Sequence, residues 1–161
     1  MTGQTNIFGK IYIAVDETDA DVPTFHNADL NKAQFEALDW EELPEVGQMG
    51  ETGVDEAMVS YPVWGRRLAV KQKGNAEGQE PELRMLLPKS GSESDGLKAI
   101  LAASATQNNV AIRIVYDDDH VEYNRGIVRS PSYPKGENQA FREIVFGFGL
   151  NQLPVLGVLP V

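Results

Sequence analysis

One short helical period stands in a chain that otherwise reads as strands. From Ser94-Asp95-Gly96 the sequence runs Leu97-Lys98-Ala99-Ile100-Leu101-Ala102-Ala103-Ser104-Ala105. Leu97, Ile100, Leu101 and Ser104 fall at i, i+3, i+4 and i+7, on one side of a helix. Ala102, Ala103 and Ala105 favour the helical state intrinsically. Ser94 or Asp95 is placed to accept a hydrogen bond from an unpaired N–H at its start, and Asn108-Asn109 closes it. A helix of barely three turns is marginal alone, so it must lean on a sheet. No nucleophile, metal-ligand cluster or phosphate loop accompanies it, which puts function in surfaces and edges.

The strands flank it on both sides. Lys10 to Val15 places Ile11, Ile13 and Val15 on one face, since successive side chains alternate. Val54 to Tyr61, Arg67 to Lys71 and Leu83 to Leu87 follow, with Gly74 to Pro81 read as a polar loop. Val110 to Tyr116 is the clearest strand. Asp117-Asp118-Asp119 turns it into Val121 to Arg125, continuing past Gly126 to Val128, a hairpin. Phe141 to Phe148 is the last strand. Between Phe25 and Leu38 the pattern is ambiguous: Asp29 could cap a turn holding Ala33, Phe35 and Leu38, but the apolar spacing is poor. Trp40 to Val46, with Pro44 inside, reads as an irregular or edge segment. The tail, 150–161, is apolar to its final residue, and is expected to be held by its own core or by a neighbouring subunit.

The chain has 161 residues, 42% of them hydrophobic, which suits one domain with one core over 1–161. It has no cysteine, so no disulfide and no thiolate metal site can form. The first six residues lack the pattern of a secretory signal, and no apolar stretch reaches the roughly 20 residues that span a bilayer. A soluble protein is expected. The net charge of −10 is unevenly placed: up to Tyr61, 13 acids stand against Lys10 and Lys32 (−11), while the remainder has 11 acids and 12 bases (+1). Such a surface repels nucleic acid and anionic membranes. It also serves simply as a solvated acidic face.

The reactive constellations do not assemble. Asp117-Asp118-Asp119-His120 has the oxygens of a cation site, but adjacent residues point apart and Asp is ordinary in turns. His26 has no recognisable partner. Gly147-Phe148-Gly149 follows a strand without a helix after it and is too short for a dinucleotide fingerprint. Neither a nucleophile elbow nor a spaced acid–base pair is present. No cofactor and no enzymatic activity is expected. Arg66, Arg67, Lys71 and Lys73 form the only positive cluster, suited to phosphate or to the acids of the first third. Trp40 and Trp64 each suit a core or an interface.

In their order these pieces resemble the major tail tube proteins of long-tailed, lambda-like bacteriophages. The resemblance runs from Lys10 to about Leu150. It is carried by the early strand, the Trp40…Val46-Gly47 segment and the Pro81-Glu82-Leu83-Arg84-Met85 strand. The Ser94-Asp95-Gly96-Leu97…Leu101-Ala102-Ala103 helix follows, then the hairpin with Tyr123-Asn124-Arg125-Gly126-Ile127-Val128 and a last strand ending near Phe148. It implies a mainly β fold, two packed antiparallel sheets (a sandwich or partial barrel) flanked by one helix, with a long loop within about 44–74 reaching the adjacent ring. Trp64, Arg66 and Arg67 are the residues it offers for ring stacking. It implies a virion protein of the tail, assembled in the host cytoplasm. Its partners would be copies of itself in stacked hexameric rings, the tape-measure, tail-terminator and baseplate proteins, and DNA in non-specific passage, with no membrane. Six copies would carry −60, so part of the acidic excess is expected on the lumen, the acids themselves not being readable. Competing readings are a monomeric β-sandwich binding or decoration module, the tube protein of a contractile tail or secretion system, and a small hydrolase.

Overall fold

The computed structural model describes residues 8–15, 28–138 and 140–159. The acids of 16–21, His26 and the last two residues lie outside the described residues. The elements, in chain order, are β1 (Phe8–Val15), α1 (Lys32–Glu36), β2 (Glu41–Leu43), β3 (Val46–Met49), β4 (Val54–Tyr61), β5 (Val70–Gly78), β6 (Glu82–Leu86), α2 (Asp95–Ser104), β7 (Val110–Tyr116), β8 (His120–Val128), β9 (Glu143–Leu150) and β10 (Val155–Val158). The fold is mainly β with two antiparallel sheets. The larger runs β2-β1-β7-β8-β9-β6-β3, with β10 added to β8; the smaller is β4 with β5.

Strand β9 gives the larger sheet its shape. Glu143 to Gly147 pair with β6, whereas Phe148 to Leu150 pair with β8. This change of partner along one strand brings the two halves of the sheet around a shared core. Ile11, Ile13, Ile112 and Ile114 come from one half; Leu83, Met85, Ile144 and Phe146 come from the other. The sheet does not close into a barrel, because its end strands β2 and β3 do not pair with each other.

Helix α2 closes this core with Leu97, Ile100 and Ala103. Ser94 is its cap, accepting from the Leu97 N–H at 3.2 Å. The buried side is the expected one, except that Leu101 is only half buried and Ala103 faces inward. The helix stops at Ser104, before Asn108, because the Ser104 and Thr106 hydroxyls donate to the carbonyls of Leu101 and Ala103, a local bond that competes with continuing the ladder. At Gly96 a Cβ would overlap the carbonyl of Glu42, so glycine sets how closely the helix lies on β2.

A second cluster covers the other face of β1, β7 and β8. Leu30, Phe35 and Leu38 pack on Ala14, Ala111, Val121 and Tyr123, and the Phe35 and Tyr123 rings stack at 5.1 Å. The ambiguous segment thus contains a helix, α1. Its cap is Asn31, not Asp29: Asn31 accepts from the Gln34 N–H and Gln34 from the Asn31 N–H, both at 2.9 Å. That reciprocal box satisfies two end groups at once, and Asp29 is engaged elsewhere.

The polar segment after Gly74 is not a loop. β5 continues to Gly78, paired with β4 from Tyr61↔Val70 to Val54↔Gly78. Likewise 44–74 is not one long loop; it holds β3, β4 and the start of β5. With both faces of a hairpin in water there is no apolar alternation from which to read the strand. The tail supplies β10, which lies along β8 from Val155↔Tyr123 to Val158↔His120.

Candidate assembly surface

β4 and β5 form an arm. Nearly every residue of both strands is exposed, on both faces. At about 3.3 Å per residue, the eight residues of β4 make the arm roughly 25 Å long. Its large apolar side chains lie in water: Met58, Val59, Tyr61 and Leu68 are all exposed, and Trp64 at the tip is 100% exposed. Trp64 is therefore no part of the core of this subunit. Gly65 turns the tip with φ +82°, a conformation that favours glycine, and the Arg66 N–H donates to the Val63 carbonyl.

The structure brings Trp64, Arg66 and Arg67 together in this turn region. From Ala57 to Ala76 the arm carries four bases, Arg66, Arg67, Lys71 and Lys73, and no acid. Lys73 pairs with Glu56 at 3.0 Å. Neither arginine forms an ion pair among the described residues. Trp40 is different: it is half buried, its Nε1–H donates to the Phe35 carbonyl, and its ring lies 5.0 Å from the Arg113 guanidinium, which is also over Tyr12 at 4.1 Å.

The arm is anchored at its foot. The Thr52 hydroxyl donates to Glu122 Oε1 at 2.5 Å, and the Gln79 N–H to the Gly53 carbonyl at 3.0 Å. Beside that foot lies β10. In register, Leu156 opposes Glu122 and Val158 opposes His120; Leu156 is 72% exposed and Val158 50%. The adjacent turn, Asp117-Asp118-Asp119, is exposed. Asp118 pairs with His120 Nδ1 at 2.8 Å, and hydrogen bonding to His120 holds its carboxyl below the usual range. Among the described residues no three His, Asp or Glu side chains gather as a metal site, and no helix is long and apolar enough to cross a membrane.

A buried polar cluster behind β8 escaped the sequence reading. Arg125, 5% exposed, donates to Gln152 Oε1 at 3.1 Å, to Asp29 Oδ1 at 3.0 Å and to the Asn151 carbonyl at 3.0 Å. The one available signal was an arginine set between Tyr123 and Ile127 in an apolar strand. Its partners, 26 to 96 positions away, have no mark of their own.

No protein-family model matches the sequence, and none of the curated proteins does. Solved structures do match. The SPP1 tail tube superposes with a TM-score of 0.61 at 14% identity, over 95% of this chain and 80% of that one. A chain of the sheath/tube terminator of the extracellular contractile injection system PVC gives 0.58 at 9%, over 98% and 100%. A chain from the tail of an empty GTA particle, with C6 symmetry, gives 0.56 at 8%, over 93% and 96%. At these identities the likeness is one of fold, and the fold is the one shared by chains of phage tails, their tubes and contractile injection systems.

Proposed function

We propose that the chain is a structural subunit that self-assembles into stacked six-membered rings, the tube of a phage tail and its conduit for DNA. The observation that carries this is the arm. A two-stranded hairpin is marginal in water, and an apolar tip on one is a liability for a monomer. Both make sense where neighbouring copies cover them. The fold likeness to the SPP1 tail tube and to a GTA tail of C6 symmetry supports the ring. The net charge of −10 per copy suits a wall along which a duplex slides without binding. The role is mechanical, without catalysis, in the virion tail after assembly in the host cytoplasm. Tape-measure, terminator and baseplate proteins are the partners along the bore and at the two ends.

The test is negative-stain electron microscopy with sedimentation velocity on the purified chain over rising concentration. Rings or tubes with a central channel are expected. A monomer that persists at the highest concentration, without a channel, would overturn the proposal in favour of a binding or decoration module.

A further inference from the structure

We infer that the tip of the arm docks on a second copy of this chain at the patch formed by Leu156 and Val158 of β10 and rimmed by Asp117, Asp118 and Asp119. This rests on the tube reading and assigns the surface that receives the arm.

Charge selects this surface. The arm between Ala57 and Ala76 carries +4; the rest of the chain, with 10 bases against 24 acids, carries −14. Away from the arm, large exposed apolar side chains fall in three places. Ile127 and Leu153 line a groove with Asp29, Glu77 and Glu80 against the root of the arm itself, at Val54, Ala76 and Gly78, and Asp29 there is already paired with Arg125 at 3.0 Å. Tyr133 and Phe141 are accompanied by Lys135 and Arg142 as well as Glu137 and Glu143, a rim with no net charge to attract a basic tip. Leu156 and Val158 lie beside three consecutive aspartates: the Leu159 N–H donates to the Asp119 carbonyl, which fastens the strand to that turn. Of the three, the β10 patch sets its apolar floor beside three consecutive acids, the complement of Trp64 and Leu68 flanked by Arg66 and Arg67. The acids near Glu42 and Glu45 have no exposed apolar floor, and Glu42 faces Lys10 at 3.4 Å.

Geometry makes the contact intermolecular. Thr52 binds Glu122 at the foot of the arm, and Glu122 is the register partner of Leu156. The patch thus adjoins the foot of its own arm, while the paired strands hold the tip roughly 25 Å away. A tip that cannot reach its own complement must use that of another copy. Contact between two different surfaces of identical subunits is head-to-tail, and an arrangement that does not close on itself extends as a filament.

The absence of cysteine from the sequence makes a direct test simple. The double variant Leu68→Cys/Leu156→Cys, polymerised and then oxidised, is expected to give a ladder of covalent multimers on a non-reducing gel, with each single variant stopping at dimer or monomer. Arg66→Glu/Arg67→Glu is expected to lower the sedimenting fraction at least tenfold while leaving the circular dichroism of the subunit unchanged. Adding Asp117→Lys/Asp118→Lys to it is expected to restore polymer. Tubes that form without the ladder and ignore the charge reversals would overturn this docking and leave the tube reading standing. Wild-type chain that never polymerises would overturn both.

Discussion

Gln152 holds the backbone of Leu30 from both sides: its Oε1 accepts from the Leu30 N–H at 2.9 Å and its Nε2–H donates to the Leu30 carbonyl at 2.7 Å. The two residues are 122 positions apart, and the same Oε1 accepts from Arg125. One side chain thereby does for the 28–38 segment what a neighbouring strand does for a ladder residue, fixing it over the second core cluster.

Replacing Gln152 with Ala leaves two backbone groups and one guanidinium N–H short of a partner in a buried setting. Each such loss costs ~1–3 kcal/mol, so about 2–4 kcal/mol is expected for the variant as relaxation recovers part. For a chain of this size that is a fall in melting temperature on the order of 5–15 °C. Urea unfolding should show a lower midpoint with an unchanged slope. A midpoint within error of wild type would mean that the 28–38 segment is held by its apolar contacts alone.

Gly96→Ala sets two effects against each other. Alanine favours a helix interior over glycine by about 1 kcal/mol. The added Cβ, however, meets the carbonyl of Glu42, a backbone atom that cannot swing aside. Overpacking costs ~1–3 kcal/mol and more against backbone, so a net loss of about 1–2 kcal/mol is expected despite the better helix former. A thermal melt that moves upward would show that α2 rides freely on β2.

The parts of this structure that were legible in sequence are those with one wet face and one dry face. Leu97, Ile100 and Ser104 mark the buried side of α2 because the opposite side is polar; Ile11 and Ile13 mark β1 for the same reason. The sequence pattern carries this strand only to Lys71, because from Lys71 to Glu77 every residue of β5 is exposed, on both faces, and carries no period. α1 was ambiguous because one fully buried residue, Phe35, suffices for five residues of helix. At the candidate site, Trp64, Arg66 and Arg67 were named by their residue types, but that they stand on a paired arm and not on a loop follows from long-range strand pairing. In sequence the patch of Leu156 and Val158 reads only as an apolar tail. Its alternation, Val155 inward and Leu156 outward, depends on pairing with β8, which nothing in nine local residues announces.

High pH should destabilise the protein through the buried Tyr123 and the half-buried Tyr116. Burial raises the Tyr123 hydroxyl above its ordinary value of 10.0, only partly opposed by the nearby Arg113; burial and the Glu122 carboxylate raise Tyr116 as well. In the unfolded chain both ionise near the ordinary value, so the folded state binds more protons above it. The contribution to stability is complete below about pH 10 and is lost as pH rises from there through the folded-state values. Urea midpoints should therefore hold steady from neutrality to about pH 9.5 and then fall. Tyr123→Phe should flatten part of that fall while shifting neutral stability by about 1 kcal/mol or less, since among the described residues no well-aligned hydrogen bond holds the hydroxyl and only the Arg113 side chain approaches it. An alkaline decline identical in the variant would place its origin elsewhere.

Trp64→Ala separates stability from assembly. A fully exposed side chain touches nothing in the free subunit, and such substitutions shift stability by about 0.5 kcal/mol or less. A tryptophan at the centre of an interface is worth ~2 kcal/mol or more in binding. The variant should melt with the wild type, yet need at least tenfold more protein to form polymer. Fluorescence gives the same separation without a variant. The half-buried Trp40 is already packed against Tyr123 at 5.9 Å, so it is expected to emit alike in both states. Trp64 should emit as a water-exposed indole in the dilute subunit and shift to shorter wavelength as polymer forms. Polymer whose spectrum matches that of the subunit would leave the tip of the arm in water after assembly, and would remove it from every contact between copies.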